Sequence, residues 1–202
     1  MTPQELKNSI LQLAIQGKLV EQRPEEGTAE KLHQQIQEEK RRLIKERKLK
    51  KEKPLPEIVE EEKPFEIPKS WKWVRFGEIS QLLDGERLQG IIYPYLEAKY
   101  LRKKSEATFK ESGKFIHSGT KVILVDGENS GEVFDVSEDG YIGSTFKVLY
   151  YSSCMFEPYI LYFLIYHRHD YRNNKKGSAI PHLDKTLFFN MPMPVPPLAE
   201  QK

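Results

Sequence analysis

The sequence predicts an α+β fold: a mixed domain with a small twisted β-sheet and packed helices, preceded by a helical arm. Three observations carry that expectation. Residues 1–53 are polar, with apolar residues at helical spacing. Residues 54–70, PLPEIVEEEKPFEIPKS, hold four prolines and a glutamate cluster and read as a linker. From Trp71 onward, short β-branched and aromatic runs alternate with turn signals around one strongly apolar helical segment.

In the arm, Leu6, Ile10 and Leu13 recur at helical spacing with Leu11 and Ala14 beside them, and Gly17 is placed to end the helix. A second helix begins near Thr28, where Ala29, Leu32, Ile36, Leu43 and Ile44 make an apolar stripe broken near Glu39. Such a stripe docks on a neighbour but builds no core alone. Glu38 to Lys53 contain nine Lys or Arg against four Glu. That excess reads either as phosphate contact or as a solvated helix end whose cations complement the dipole.

The domain, residues 71–197, opens on WKWVRFGEI, with Trp71, Trp73, Val74 and Phe76 as a strand or core anchor. KVILVDGENSGEVFDV reads as a β-hairpin: Val122–Val125 and Glu132–Val136 are strands joined through Gly127–Ser130, because Asp-Gly is a strong turn signal. YIGSTFKVLYY adds two further short strands. EPYILYFLIYHRHDYRNN is predicted helical from Pro158 and, being apolar nearly all round, largely buried. KKGSAIPHLDKTLFFNMPMPVP predicts a loop, a helical turn after Leu183 and a closing strand. In PMPVPPLAEQK, Pro196-Pro197 fixes an extended connector, and residues 198–202 suit a helix start.

Composition narrows the chemistry. Hydrophobic residues make up 38% and charged residues 31% of 202 residues, so part of the chain is solvated or meets a partner. The net charge of +2 does not by itself announce nucleic acid. Cys154 is the sole cysteine, which excludes an intrachain disulfide and fits a cytoplasmic protein. No signal peptide is evident, and the longest apolar run, Tyr159 to Tyr166, is far too short to span a bilayer.

Most catalytic motifs are missing. Val195-Pro196-Pro197-Leu198 lacks the polar side chain that an amino-methyltransferase motif needs to hold the base. Gly127–Gly131 lacks the Gly-Lys-Ser/Thr of a phosphate-binding loop. His167 and His169 stand two apart on a predicted helix and point to different sides, so no metal site is expected. Asp84 followed by Glu97 and Lys99 loosely matches a magnesium-dependent nuclease, although the intervening GERLQGIIYPYLE reads as more turn-like than strand-like.

Two polar clusters suit nucleic acid better. Asn129 and Ser130 lie at the hairpin connection, where Asn matches adenine geometrically and where both are also ordinary turn formers. Tyr171 to Lys185 gathers Arg172, Lys175, Lys176, Ser178, His182 and Lys185 around a glycine, the chemistry of a phosphate-holding loop or of a solvated one. Lys99, Lys103 and Lys104 form a weaker basic group.

LKNSILQLAIQGKLVEQ, PFEIPKSWKWVRFGEI and PVPPLAEQK, supported by GSAIPHLDK, together resemble the specificity subunit of type I restriction–modification systems. The resemblance covers essentially the whole chain. It implies one target-recognition domain flanked by parts of two conserved helices, with residues 198–202 opening a helix that is cut short. Family members carry two such domains, so this chain corresponds to a shortened subunit or a natural half-subunit reading half of a bipartite site, alone or as a homodimer. The resemblance also implies double-stranded DNA, modification subunits and a restriction subunit as partners. It places no catalytic residue or cofactor here: S-adenosylmethionine, ATP and magnesium belong to the partner subunits. Under it, Leu6, Ile10, Leu13, Leu32, Ile36 and Leu198 are the expected subunit contacts. A stand-alone nuclease and a protein-interaction adaptor without DNA binding are the alternatives.

Overall fold

Local signals set both ends of the first helix. Thr2 N–H donates to Glu5 Oε2 (2.6 Å) and Glu5 N–H donates to Thr2 Oγ1 (3.2 Å), a reciprocal capping box with Pro3 at the first helical position. The helix stops because Gly17 adopts φ +66°, which lets its N–H reach Ala14 O (3.1 Å) and Lys18 N–H reach Leu13 O (2.9 Å). The Thr-Pro-Gln-Glu opening carries this box in plain letters, one turn ahead of the apolar repeat.

The computed structural model describes residues 2–174, 176 and 181–202. In chain order its helices are α1 (Pro3–Ile15), α2 (Ala29–Lys45), α3 (Phe76–Ile79), α4 (Ala98–Leu101), α5 (Glu157–Tyr166), α6 (Arg168–Asn173) and α7 (Lys185–Asn190). Its strands are β1 (Lys72–Arg75), β2 (Ser80–Leu83), β3 (Glu86–Tyr95), β4 (Thr108–Ile116), β5 (Lys121–Leu124), β6 (Val133–Asp135), β7 (Gly140–Ile142), β8 (Phe146–Tyr151) and β9 (Pro192–Val195). The fold is thus mixed, with small sheets among short helices. It divides into two compact units, the first made of Met1–Ser80, Tyr151–His167 and Lys185–Lys202, the second of Gln81–Tyr150 and Arg168–Asp184.

In the first unit, β1 pairs antiparallel with β9, Lys72 opposite Val195 and Arg75 opposite Pro192. Phe76, fully buried at the start of α3, packs on Phe163 of α5 (ring centroids 5.5 Å) and edge-on to Phe188 of α7 (5.1 Å). Gly77 is a contact point: a Cβ there would lie 2.9 Å from Leu55 and from Phe189. The Pro/Glu stretch is therefore fastened down. Its Leu55 meets α3, Phe65 stacks at a tilt on Trp73 (5.2 Å), and two backbone carbonyls bind Arg75.

Arg75 is 2% exposed, and all five of its guanidinium N–H groups are used. Nε donates to Pro56 O (3.0 Å), while the terminal nitrogens donate to Glu57 O (2.8 Å), Asn190 O (2.6 Å) and both Glu62 carboxylate oxygens (2.9 and 2.6 Å). The bidentate hydrogen bonds from Arg75 hold the Glu62 carboxyl below its usual range.

Helix α2 buries Ala29, Leu32 and Ile36. Its basic end is not simply wet: Lys40 donates to Gly77 O (2.7 Å), and burial pushes its ammonium pKa down. The long apolar helix divides into α5 and α6 at His167, and α5 leaves Tyr162 and Ile165 on an exposed face instead of being covered all round. After β9 the chain makes a turn closed by Glu200 N–H onto Pro197 O (3.0 Å).

The second unit contains a sheet of order β2-β8-β5-β6, with β5 antiparallel to both neighbours. The hairpin expected around Asp-Gly is β5–β6, with Val122 opposite Phe134. Strands β3, β4 and β7 close on one another as a small three-stranded barrel. Leu96, Val122, Val136 and Phe146, each at most 1% exposed, anchor the core between sheet and barrel. The segment read as turn-like is in fact strand β3, because Gly90 is absorbed in a bulge at φ +83° between Gln89 and Tyr93. No helix among the described residues is long and apolar enough to cross a membrane.

Two stability outcomes are expected. Arg75→Met strands three carbonyls and the Glu62 carboxylate and should cost about 3 kcal/mol or more in urea unfolding. Gly17→Ala places a methyl 2.5 Å from Pro68 in the left-handed region, and should lower the same midpoint by more than the usual surface substitution.

Candidate nucleic-acid interface

The two polar clusters singled out in the sequence are brought together in the second unit. Gly127 N–H donates to Pro181 O (2.7 Å) and Leu183 N–H donates to Val125 O (2.8 Å), which lays residues 181–183 along the β5–β6 connection. The His182 ring nitrogen Nδ1 lies 2.7 Å from Asp126 Oδ1, and Lys176 and His182 exchange backbone hydrogen bonds of 2.8 and 3.1 Å. Lys176 Nζ pairs with Asp184 (3.0 Å) while staying exposed. Lys175 and Ser178 lie outside the described residues.

The hairpin end of the cluster turns inward. Ser130 is 0% exposed, so it does not face solvent, and its hydroxyl has no partner among the described residues. Arg172 donates to Asn129 Oδ1, which occupies the acceptor that a bidentate pairing with adenine requires. Gly131 takes φ +91°, and a Cβ there would lie 3.0 Å from Tyr171 Cβ. Glu132 receives both Arg102 and Arg168 (3.4 Å). Ordinary turn chemistry and internal pairing thus consume Asn129 and Ser130, while His182 and Lys176 stay at the surface.

The remaining expected DNA-facing residues are scattered. Lys99, Lys103 and Lys104 are exposed on the cap of α4, where Lys104 N–H bonds Lys99 O (2.9 Å) and Lys103 sits at φ +57°. Lys185 opens α7 in the first unit. Among the expected subunit contacts, Leu6, Ile10, Leu13 and Leu198 are 39–49% exposed, whereas Leu32 and Ile36 are buried inside the first unit. The buried side of α1 is instead Leu11 and Ile15. An apolar groove of about 600 Å³ runs beside Leu6, Ile10, Tyr162 and Pro196.

The loose nuclease pattern does not assemble around Asp84. Its carboxylate takes Lys114 and, at 2.7 Å, Lys147, and those two ammonium hydrogen bonds pull its pKa down to about 2. Glu97 stands at the N-cap position of α4 without a side-chain capping bond, and Lys99 rides on that helix. Among the described residues no group of three or more His, Cys, Asp or Glu is placed to hold a metal ion.

Three of the four quoted motifs meet in the first unit. Gly17 abuts Pro68 and Trp71; the Trp71 indole N–H donates to Glu200 Oε2 (2.7 Å); Gln22 also donates to Glu200. Gln201, 7% exposed, accepts from Phe156 N–H (2.9 Å) and donates to Pro196 O (3.0 Å). The family model for the type I restriction modification DNA specificity domain matches residues 68–202.

The chain belongs to that family. It is 45% identical over 102 residues to the type I restriction enzyme EcoAI specificity subunit of Escherichia coli, covering 50% of this chain and 17% of that one. It is 34% identical over 148 residues to the MjaVIII specificity subunit of Methanocaldococcus jannaschii, covering 67% and 34%. The chain therefore spans about a third or less of these curated specificity subunits. Its fold matches a chain solved in work on complex assembly and conformational transition of the type I R-M system, with TM-score 0.51 and 19% identity over 100% of this chain and 50% of that one. Within this specificity-domain family, the sequence missed exposed polar residues on β3 and β4, among them Arg87, Gln89 and Ser112. The signal was there: Leu88 alternates with Arg87 and Gln89 at the period of a strand.

Asp84 gives a pH test. Its folded pKa is depressed, so its stabilisation is present above the unfolded carboxylate range near ~4 and fades as pH falls toward the folded value. Asp84→Asn should flatten the acid limb of the stability curve below about pH 4, read by thermal unfolding across pH. An unchanged limb would show that the two lysines do not stabilise the carboxylate.

Proposed function

We propose that this chain is a DNA sequence-specificity module of a type I restriction–modification enzyme, reading one half of a bipartite duplex site. The observation that carries the reading is the family match across residues 68–202. Cations at the surface of the second unit, such as Lys99, Lys103, Lys104 and Lys176, fix register on phosphates, while polar side chains read base edges. The exposed stripe Leu6, Ile10, Leu13 and Leu198 docks helices of the modification subunits. Those subunits flip and methylate an adenine with S-adenosylmethionine, and a restriction subunit supplies ATP- and magnesium-dependent cleavage. In this reading the chain itself carries out no covalent chemistry, and its work is positional.

The test is selection from a randomised duplex pool at two salt concentrations, with magnesium and EDTA arms. A short enriched motif, uncut in both arms, is the expected result, and a mirrored copy at fixed spacing would mark pairing of two chains. Retention without a motif, or cutting confined to the magnesium arm, would overturn it. Replacing Lys175 and Lys176 by Gln should reduce the slope of log affinity against log salt by about one unit per lost phosphate contact. An unchanged slope removes that loop from the interface.

A further inference from the structure

Strands β3 and β4 form a ribbon that leaves Arg87, Gln89 and Ser112 open to solvent. Cross-strand partners place Arg87 opposite Lys114 and Gln89 opposite Ser112, so these four side chains share one face. The alternate positions, Leu88 opposite Gly113 and Glu86 opposite Phe115, turn the other way. Along this stretch the second face packs inward, since Phe115 is buried and a Cβ at Gly113 would lie 3.0 Å from Tyr141, whereas the first face is covered only farther along, where Ile116 and Ile142 are buried. Arg87, Gln89 and Ser112 are exposed, and they border a groove of about 590 Å³ that Leu88, Gly113 and Ile142 also line.

The ribbon is held in shape from below. Tyr141, 0% exposed, donates its hydroxyl to Ile91 O (2.8 Å), which fixes the bulge from Gly90 to Ile92. Tyr93 packs on Phe115 (4.8 Å) and Tyr141 (5.6 Å). On the bulge Ile92 is 69% exposed, Phe109 is 66% exposed on the opposite face from Ser112, and Lys110 sits over the Tyr95 ring (3.2 Å to its centroid). The outer face thus joins a guanidinium, an amide and a hydroxyl, with the Lys114 and Lys147 ammonium groups alongside.

We infer that this face of the β3–β4 ribbon is the base-reading element, entering the major groove of duplex DNA. The inference rests on the DNA-specificity reading above and names the residues that carry it out. A major groove admits a two-stranded ribbon, and cationic flanks match its phosphate walls. Arg87 has the fork that pairs with guanine O6 and N7, and Gln89 has the amide that pairs with adenine N6 and N7. Ile92, left in water on the bulge, is placed to meet a thymine methyl group. Two residues apart on one strand face, Arg87 and Gln89 stand roughly 7 Å from each other, about two base-pair steps. Their targets are therefore neighbours within one half-site.

The experiment is the same randomised-duplex selection run on the full chain and on Arg87→Ala, Gln89→Ala and Lys176→Gln, each first checked for an unchanged unfolding midpoint. The wild type should yield a motif from which Arg87→Ala and Gln89→Ala each erase preference at one position. Discrimination there should fall roughly 5- to 150-fold, with the two positions within about two base pairs. Lys176→Gln should weaken binding to all sequences alike and leave the motif whole. A wild-type motif that both ribbon variants retain in full would overturn the ribbon while leaving the DNA reading intact. Relaxed positions far apart would overturn it equally, and a wild type that selects no motif removes both proposals together.

Discussion

The buried guanidinium of Arg75 is the constraint around which the first unit is arranged. A charge taken almost wholly out of water is tolerated only when its Coulomb partner and every donor are satisfied. Here that requirement draws three separated pieces of chain to one point: the carbonyls of Pro56 and Glu57, the Glu62 carboxylate, and the carbonyl of Asn190 at the end of α7. The carbonyls of Pro56 and Glu57 lie outside regular secondary structure, and Glu62 stands only in a single 3-10 turn at Glu60–Glu62. The arginine substitutes for a ladder. With it in place, α3 follows directly from β1, and Phe76 is delivered into the aromatic cluster with Phe163 and Phe188.

A second convergence explains why the motif residues are what they are. Gly17 is needed twice over, for a left-handed backbone and for the close approach of Pro68. Trp71 fills the neighbouring space and donates to Glu200, and Glu200 also takes Gln22. Gln201 reaches back to the start of α5. The motifs lie far apart in the chain but form one set of contacts, and each residue type is fixed by the contact it makes. Their part is architectural: they join the arm, the entry strand and the closing segment of the first unit.

Much of this was legible in the letters. The β5–β6 hairpin follows from Asp-Gly between β-branched runs, α2 from its apolar spacing after Thr28, and the family from its motifs. What the sequence hid depends on tertiary partners. Pro and Glu density made residues 54–70 read as a loose tether, because a carbonyl bound by an arginine 19 positions away leaves no local trace. Gly90 made β3 read as a turn, because a bulge and a true turn use the same residue. Leu6, Ile10 and Leu13 were visible as a stripe, yet the periodicity could not say that Leu11 and Ile15 are the side facing inward. The polar tip Asn129–Ser130 has turn composition, and the structure gives it turn duties: Arg172 occupies one side chain and burial takes the other.

Asp84 has a consequence for any anion that meets the ribbon. It already sits on Lys114 and Lys147, so those two ammonium groups carry a resident counterion that belongs to the protein. A phosphate taking its place displaces a tethered carboxylate, not a mobile salt ion, and the tether keeps that carboxylate close by. Because the carboxylate stays beside the two lysines, the cluster neutralises less of a polyanion's charge, and releases fewer of its condensed cations, than two unpaired lysines would. Ionic strength would register fewer phosphate contacts than the lysines make, and a count of cations on this face would overstate its sensitivity to salt.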